Sequence, residues 1–490
     1  MRIVGNNPQL SRQTQATASG AITGGKPVIV NTDGTVTEIA GSATSVGTSV
    51  VFETGVTEAL GIAATFDSNS NRIVIAYQDG GNSDYGTAIV GTIDSSDNSI
   101  SFGTAVVYHS ANSNYNTASF DSNSNKVVIA FTAPADGTGK SYVGTVDPSD
   151  NSISFGSAVN FQAGARASHV SSAFDSNSNK VAIFYEDNGN SNYGTGIVGT
   201  VSGTSISYGS EAVFESAQVS AISATFDSSN NKVVIAYRDH GNSNYGTAVI
   251  GTISSTSISF GTPVVFESAT TTGCSATFDT NSNKVFIAYD DHGATTQNAI
   301  IGTVSGTSIS FGTAVAYETG VSTGNVLATG FDSSTNKVVV GYGDAGDSNK
   351  GKISVGSISG TSVSFETPVE FDAGATVPGY CEIPFDSSTN RLLLPYKDNN
   401  NSQYGTGIVI QTSATNLTSS ENFIGFAEDT VATGQPVTIN TKGAIDENQS
   451  SLTPAQQYFV QTNGTLSETA DDPSVVAGTA VTATKLIVKG

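Results

Sequence analysis

One phrase recurs seven times along this chain: Phe-Asp, a polar turn, then an apolar run closed by an aromatic, beginning at Phe66, Phe120, Phe174, Phe226, Phe278, Phe331 and Phe385. The spacing is 52 to 54 residues throughout. A fixed period of this size builds a repeat architecture, because one copy cannot bury its apolar face alone and must stack on its neighbours.

Repeat four displays the unit. Ser223 to Asp227 reads as a short strand and Ser228–Asn231 as its turn. Lys232 to Tyr237, KVVIAY, is a nearly continuous apolar run, as expected of a strand buried on both faces. A loop rich in Asp, Gly and Asn follows, then a third strand from Tyr245 to Ile253 whose Gly251 admits a close neighbour. Ser257 to Glu267 is the fourth, bent at Gly261 or Pro263. Four antiparallel strands in this span match one blade of a β-propeller.

The ends of the repeat region carry a test. The element Gly-Thr-x-Val-Val-Phe-Glu follows repeats one to six in recognisable form and is missing after repeat seven; it stands instead before repeat one, as Gly47 to Glu53. An N-terminal strand that completes the last blade produces this offset, and closure removes exposed sheet edges. The expected fold is therefore all-β: a seven-bladed β-propeller of four-stranded blades over 47–420, closed by an N-terminal strand. The flanks share their own pattern, Lys26 to Gly34 recurring as Gln435 to Gly443 and more weakly as Val460 to Gly464. Each reads as strand, Gly-containing turn and strand. This predicts an N-terminal arm with one hairpin over 1–46 and a small C-terminal β domain over 421–490, two β modules able to pack together.

Only 12% of residues are charged and the net charge is −23, which repels phosphate backbones and argues against nucleic-acid binding. The opening MRIVGNNPQLSRQTQ lacks the apolar core of a signal peptide, and no stretch reaches transmembrane length. That suits assembly in a cytoplasm and release by lysis, without membrane insertion. Cys274 and Cys381 occupy the same repeat position, filled elsewhere by Ile62, Val170, Ile222 and Leu327 and once by Asn116, so both read as buried free thiols in the core.

Candidate sites fall into sets. The aspartate after each repeat Phe (Asp67 through Asp386) begins strings resembling a calcium loop, yet positions six and twelve counted from Asp67 hold Arg72 and Gln78. A calcium loop needs Gly and an acid there, so these aspartates are expected to bond amides of their own turns. A second set ends the buried strand and precedes a tyrosine: Asp79 with Tyr85, Asp187 with Tyr193, Asp239 with Tyr245, Asp398 with Tyr404. Aromatic rings beside carboxylates and amides suit stacking on sugars, and these eight residues are the expected ligand-binding set. His240 and His292 follow Asp239 and Asp291 in matching loops; without a third ligand they read as surface histidines rather than a metal site. Arg72 and Arg391 replace the turn lysine of other repeats, and no hydrolase, protease or phosphate-loop motif stands in context. No catalytic residue, metal or cofactor is expected.

The repeat spanning 226–268 (FDSSNNKVVIAY through GTPVVFES) resembles repeats of virion structural and tail-fibre-like proteins of marine tailed bacteriophages, and the segment from Phe423 to the C-terminus is similar to modules attached to such proteins. The resemblance implies a non-enzymatic virion-surface protein. Within it two roles remain: attachment to host surface glycans, with 1–46 and 421–490 contacting other virion proteins or further copies of the chain, or a decoration or adaptor on capsid or tail. A glycan-acting hydrolase is a distant third.

Overall fold

The computed structural model describes residues 12–58, 61–319, 328–378, 382–417, 419–471 and 473–489. Among these the regular structure is all β apart from short 3-10 turns, and the chain divides into two units, 45–412 and a second built from both ends, 1–44 with 413–490.

In the repeat unit each apolar run becomes a central strand. Lys232–Asp239 pairs antiparallel with Ala212–Asp227 on one side and Tyr245–Ser254 on the other, and KVVIAY is buried almost throughout. Two apolar faces explain the unbroken hydrophobic run. The fourth strand is split: Ser257–Phe260 and Val264–Asp279 pair with successive parts of Tyr245–Ser254, and residues 261–263 lie outside the ladder. A Cβ on Gly261 would stand 1.8 Å from the Thr307 carbonyl of the next repeat, so glycine is required there. One feature departs from the sequence reading. The fourth strand of one repeat runs without interruption into the first strand of the next, as Ala212–Asp227 and Val264–Asp279. A β-bulge marks the changeover, between Ser220 and Ser223 in the former.

The repeated turn has one explanation in every copy. The Oδ1 of Asp227 accepts from the amides of Ser229 (2.9 Å) and Asn230 (2.9 Å), and the same two bonds recur at Asp67, Asp121, Asp175, Asp279, Asp332 and Asp386. The turn's last residue is always Asn, from Asn71 to Asn390, with φ between 53° and 58°. Asparagine tolerates that left-handed conformation better than other side chains with a Cβ. The Phe-Asp-x-x-x-Asn phrase is thus turn chemistry.

Neighbouring repeats are joined by three recurring contacts. A buried tyrosine at the end of the central strand donates to an acid on the preceding repeat's outer strand: Tyr237 to Glu215 (3.1 Å), Tyr289 to Glu267 (2.9 Å), Tyr396 to Asp372 (3.0 Å). A glycine packs on the next repeat's turn, as Gly261 does. Arg72 of repeat one donates to Asn151 (2.6 Å) and to the Pro148 carbonyl (2.8 Å) of repeat two. All three also link repeat seven, with its added strand Val50–Val56, to repeat one. Tyr77 donates to Glu53 (2.9 Å), Gly47 packs on Asn98, and Arg391 donates to Asn98 (2.5 Å) and the Ser95 carbonyl (3.2 Å). Val50–Val56 pairs antiparallel with Tyr404–Gln411 of repeat seven, and Phe52 shares a buried cluster with Ile75 and Ile100 of repeat one and Leu393 and Val409 of repeat seven.

The second unit is woven from distant segments. Gln13–Thr17 pairs with Pro436–Asn440, and Pro27–Val30 with Phe423–Ala427. The three related hairpins turn at Gly34, Gly443 and Gly464, all left-handed (φ 81°, 84° and 77°), which explains the recurring glycine. Ile29, Phe426, Tyr458, Val460 and Leu486 share its core, so the N-terminal arm and the C-terminal domain form a single unit.

Candidate functional site

The connections between central and third strands stand at the opposite end of each repeat from the Phe-Asp turns, because the central strand separates them. They are bonded to the crossovers between repeats: Thr57 donates its amide to the Gln403 carbonyl (2.9 Å), Val219 to Asn192 (3.3 Å), Thr271 to Asn244 (3.0 Å). These loops and the crossovers therefore share one face of the repeat unit.

On it the predicted pairs are direct cross-strand partners, Asp79 with Tyr85, Asp187 with Tyr193, Asp239 with Tyr245 and Asp398 with Tyr404. Directly opposed residues share one face of a sheet. The aspartates are buried and serve their own loops. Asp187 accepts from the Gly189 amide (2.9 Å) and from Gln162 Nε2 (3.1 Å), Asp239 from the Asn242 amide (3.1 Å), and Asp398 from the Asn400 and Asn401 amides (3.0 Å each). Burial, then the neighbouring Glu53, raises the Asp79 carboxyl above the usual range, and burial with Asp372 raises that of Asp398. The four tyrosines are half-buried. Among the described residues no hydrogen bond or ring contact links one pair to another, so they form four equivalent positions rather than one pocket.

The loop face also holds a cluster that the sequence reading did not single out. At the bulges of the first strands Tyr115, His169 and Ala221 have left-handed backbones (φ 51°, 50° and 48°). The Tyr115 and His169 rings lie 4.8 Å apart, and His169 Nε2 is 3.9 Å from Glu186 Oε2. Glu186 also accepts from Gln218 Nε2 (3.1 Å), Ser220 Oγ meets His240 Nε2 (2.8 Å), and Arg238 Nε donates to Asn244 (3.1 Å). Burial, with His240 and Arg238 nearby, holds the His169 imidazole down to about 4, so it is neutral at neutral pH. Burial raises Glu186. Its signal in the sequence is divergence: the next-to-last residue of the central strand is Gln78, Thr132, Glu186, Arg238, Asp290, Gly343 and Lys397 in successive repeats. His292 is exposed, while His240 is partly buried against Ser220.

No group of three or more His, Cys, Asp or Glu side chains is arranged to hold a metal among the described residues. Cys274 is free and buried, its Sγ 2.8 Å from the Ala221 carbonyl, and burial pushes its thiol far above the ordinary value. Cys381 and Leu327 lie outside the described residues.

No protein family and no curated protein matches this sequence. Among solved structures, the chain is similar to AofleA from Arthrobotrys oligospora (TM-score 0.40, 8% identity, 71% of this chain and 98% of that one). A triple arginine-to-alanine mutant of the same protein gives TM-score 0.43 at 9% identity, covering 70% and 94%. Saccharomyces cerevisiae Sqt1 gives TM-score 0.43 at 11% identity, covering 74% and 87%. At these scores the likenesses carry no functional argument.

Proposed function

We propose that the chain is a non-enzymatic surface protein of a phage virion whose repeats close into a seven-bladed propeller and whose loop face attaches to host surface glycans. Closure is supported by the identity of the contacts across the junction of repeats seven and one with those between interior repeats: tyrosine to acid, glycine on turn, arginine on turn.

One observation carries the functional reading. Four half-buried tyrosines stand at equivalent register on one polar face, with a cluster of chemically divergent side chains at the bulges beside them. Repeated shallow aromatic positions suit a polymer that is itself repetitive, since several weak contacts combine into high avidity. Sugars offer apolar ring faces for stacking and hydroxyls for the loop amides. The unit formed by both chain ends is the anchor to other virion proteins.

The test is binding of the full chain to cells bearing defined surface polysaccharides, before and after the polysaccharide is stripped. Saturable binding that stripping abolishes supports attachment. Absence of binding, with the chain still adding to particles that lack it, favours the decoration role.

A further inference from the structure

The first strands of successive repeats pack side by side around a passage whose wall is nearly uncharged. Three residues before each repeat Phe stand Ala63, Thr117, Ser171, Ser223, Ser275 and Ala328; in repeat seven the same position is Glu382. Most of the hydroxyls are engaged between repeats. Ser171 Oγ accepts from the Ala224 amide (3.0 Å), Ser223 Oγ from the Ala276 amide (2.9 Å), and Ser275 Oγ meets Thr329 Oγ1 (2.9 Å). The Glu382 carboxylate has no hydrogen-bond or ion partner among the described residues, although its backbone is bridged to Thr329.

Glu382 borders three cavities of about 30, 270 and 470 Å³. The largest lies at the end that carries the Phe-Asp turns, away from the loop face. Phe66, Phe120, Phe174, Phe226, Phe278 and Phe385 line it, and Glu382 is its one titratable side chain. The carboxylate is open to solvent inside the passage yet enclosed by the wall, and that enclosure pushes its pKa up to about 7.

A lone carboxylate in such surroundings is stabilised by a proton or by a cation. The wall favours one kind of cation. Calcium takes six to eight oxygen ligands, and here a single carboxylate stands among hydroxyls already engaged between repeats, with backbone amides or with one another. Phenylalanine rings instead attract organic cations and bury alkyl stems. A space of this size falls in the range of small-molecule sites. We propose that the passage binds an organic ammonium group, its charge on Glu382 and its apolar stem against the phenylalanine rim.

The experiment titrates the full chain with n-hexylammonium, n-hexanol and hexanoate, followed by ligand-observed NMR and calorimetry. Hexylammonium should bind, while hexanol and hexanoate bind at least tenfold more weakly. Glu382→Gln should weaken hexylammonium at least tenfold and leave binding to cells through the loop face unchanged. Equal binding of hexanol, or unchanged binding to a folded Glu382→Gln chain, overturns the proposal. So does calcium binding more tightly than hexylammonium in a manner that depends on Glu382. The three-ligand comparison on the unmodified chain decides the matter even if the variant fails to fold.

Discussion

Replacing Phe52 by alanine separates a closed ring from an open array. Phe52 is 7% exposed and its ring lies 5.2 Å from that of Tyr77 and 5.9 Å from that of Phe102. It covers Gly405 so closely that a Cβ there would come within 2.4 Å of the ring. Phe266, between repeats four and five, is 8% exposed, lies 5.2 Å from Tyr289 and 5.8 Å from Phe311, and covers Gly246 at the same 2.4 Å. Truncating a buried Phe costs about 3–5 kcal/mol. If the ring is closed, Phe52→Ala and Phe266→Ala remove the same interface and should agree to about 1 kcal/mol. In an open array Phe52 staples only a terminal strand, so its loss would fray 50–56 and 404–411 and spare the remaining repeats. Denaturant unfolding gives the cost, and hydrogen exchange shows whether protection falls throughout or at those strands alone. A Phe52→Ala cost below about 1 kcal/mol beside a full cost for Phe266→Ala would refute closure.

Further outcomes follow from individual residues. Asp227→Ala deprives the Ser229 and Asn230 amides of their acceptor and should cost about 1–3 kcal/mol by chemical denaturation; a loss under about 0.5 kcal/mol would mean the turn holds without it. Glu382 has a folded pKa of about 7 against an ordinary 4.5, so the folded state keeps a proton that the unfolded chain releases. Its contribution to stability is therefore full below the unfolded value and is lost as pH rises through about 7. The full shift corresponds to about 3 kcal/mol, and solvent in the passage reduces this to about 1 kcal/mol; Glu382→Gln should gain that amount over the unmodified chain at pH 8 relative to acid, and an identical pH profile for both would contradict it. Cys274 should resist maleimide in the native chain and react on unfolding, as read by mass spectrometry; rapid native labelling of that thiol would contradict its burial.

Much of the repeat was legible because its local chemistry agrees with its packing. The KVVIAY run, the Asp and Asn of the turn and the break at Gly261–Pro263 each have one physical cause, visible in a single copy. Continuity of 212–227 was not legible, since the bulge near Ser220 lets one strand serve two sheets. Packing of the two end modules was legible in their shared hairpin pattern, whereas the pairing of Gln13 with Asn440 was not, because no local pattern encodes so distant a register. At the loop face the Asp–Tyr register was legible, whereas the meeting of Tyr115 with His169 depends on left-handed bulges in adjacent repeats. Glu382, next to Cys381, is readable as the one charge in a column of small residues, but a single break in one copy carries no period to mark it.

The proposed function rests on attachment through the loop face. Its most direct measurement compares the labelled full chain with a variant carrying Tyr85→Ala, Tyr193→Ala, Tyr245→Ala and Tyr404→Ala on cells with intact or stripped surface polysaccharide. Saturable binding by the unmodified chain is expected, abolished by stripping and reduced at least tenfold in a variant that still folds. Equal binding by both chains, or none to susceptible cells while the chain still joins particles lacking it, would contradict attachment through this face.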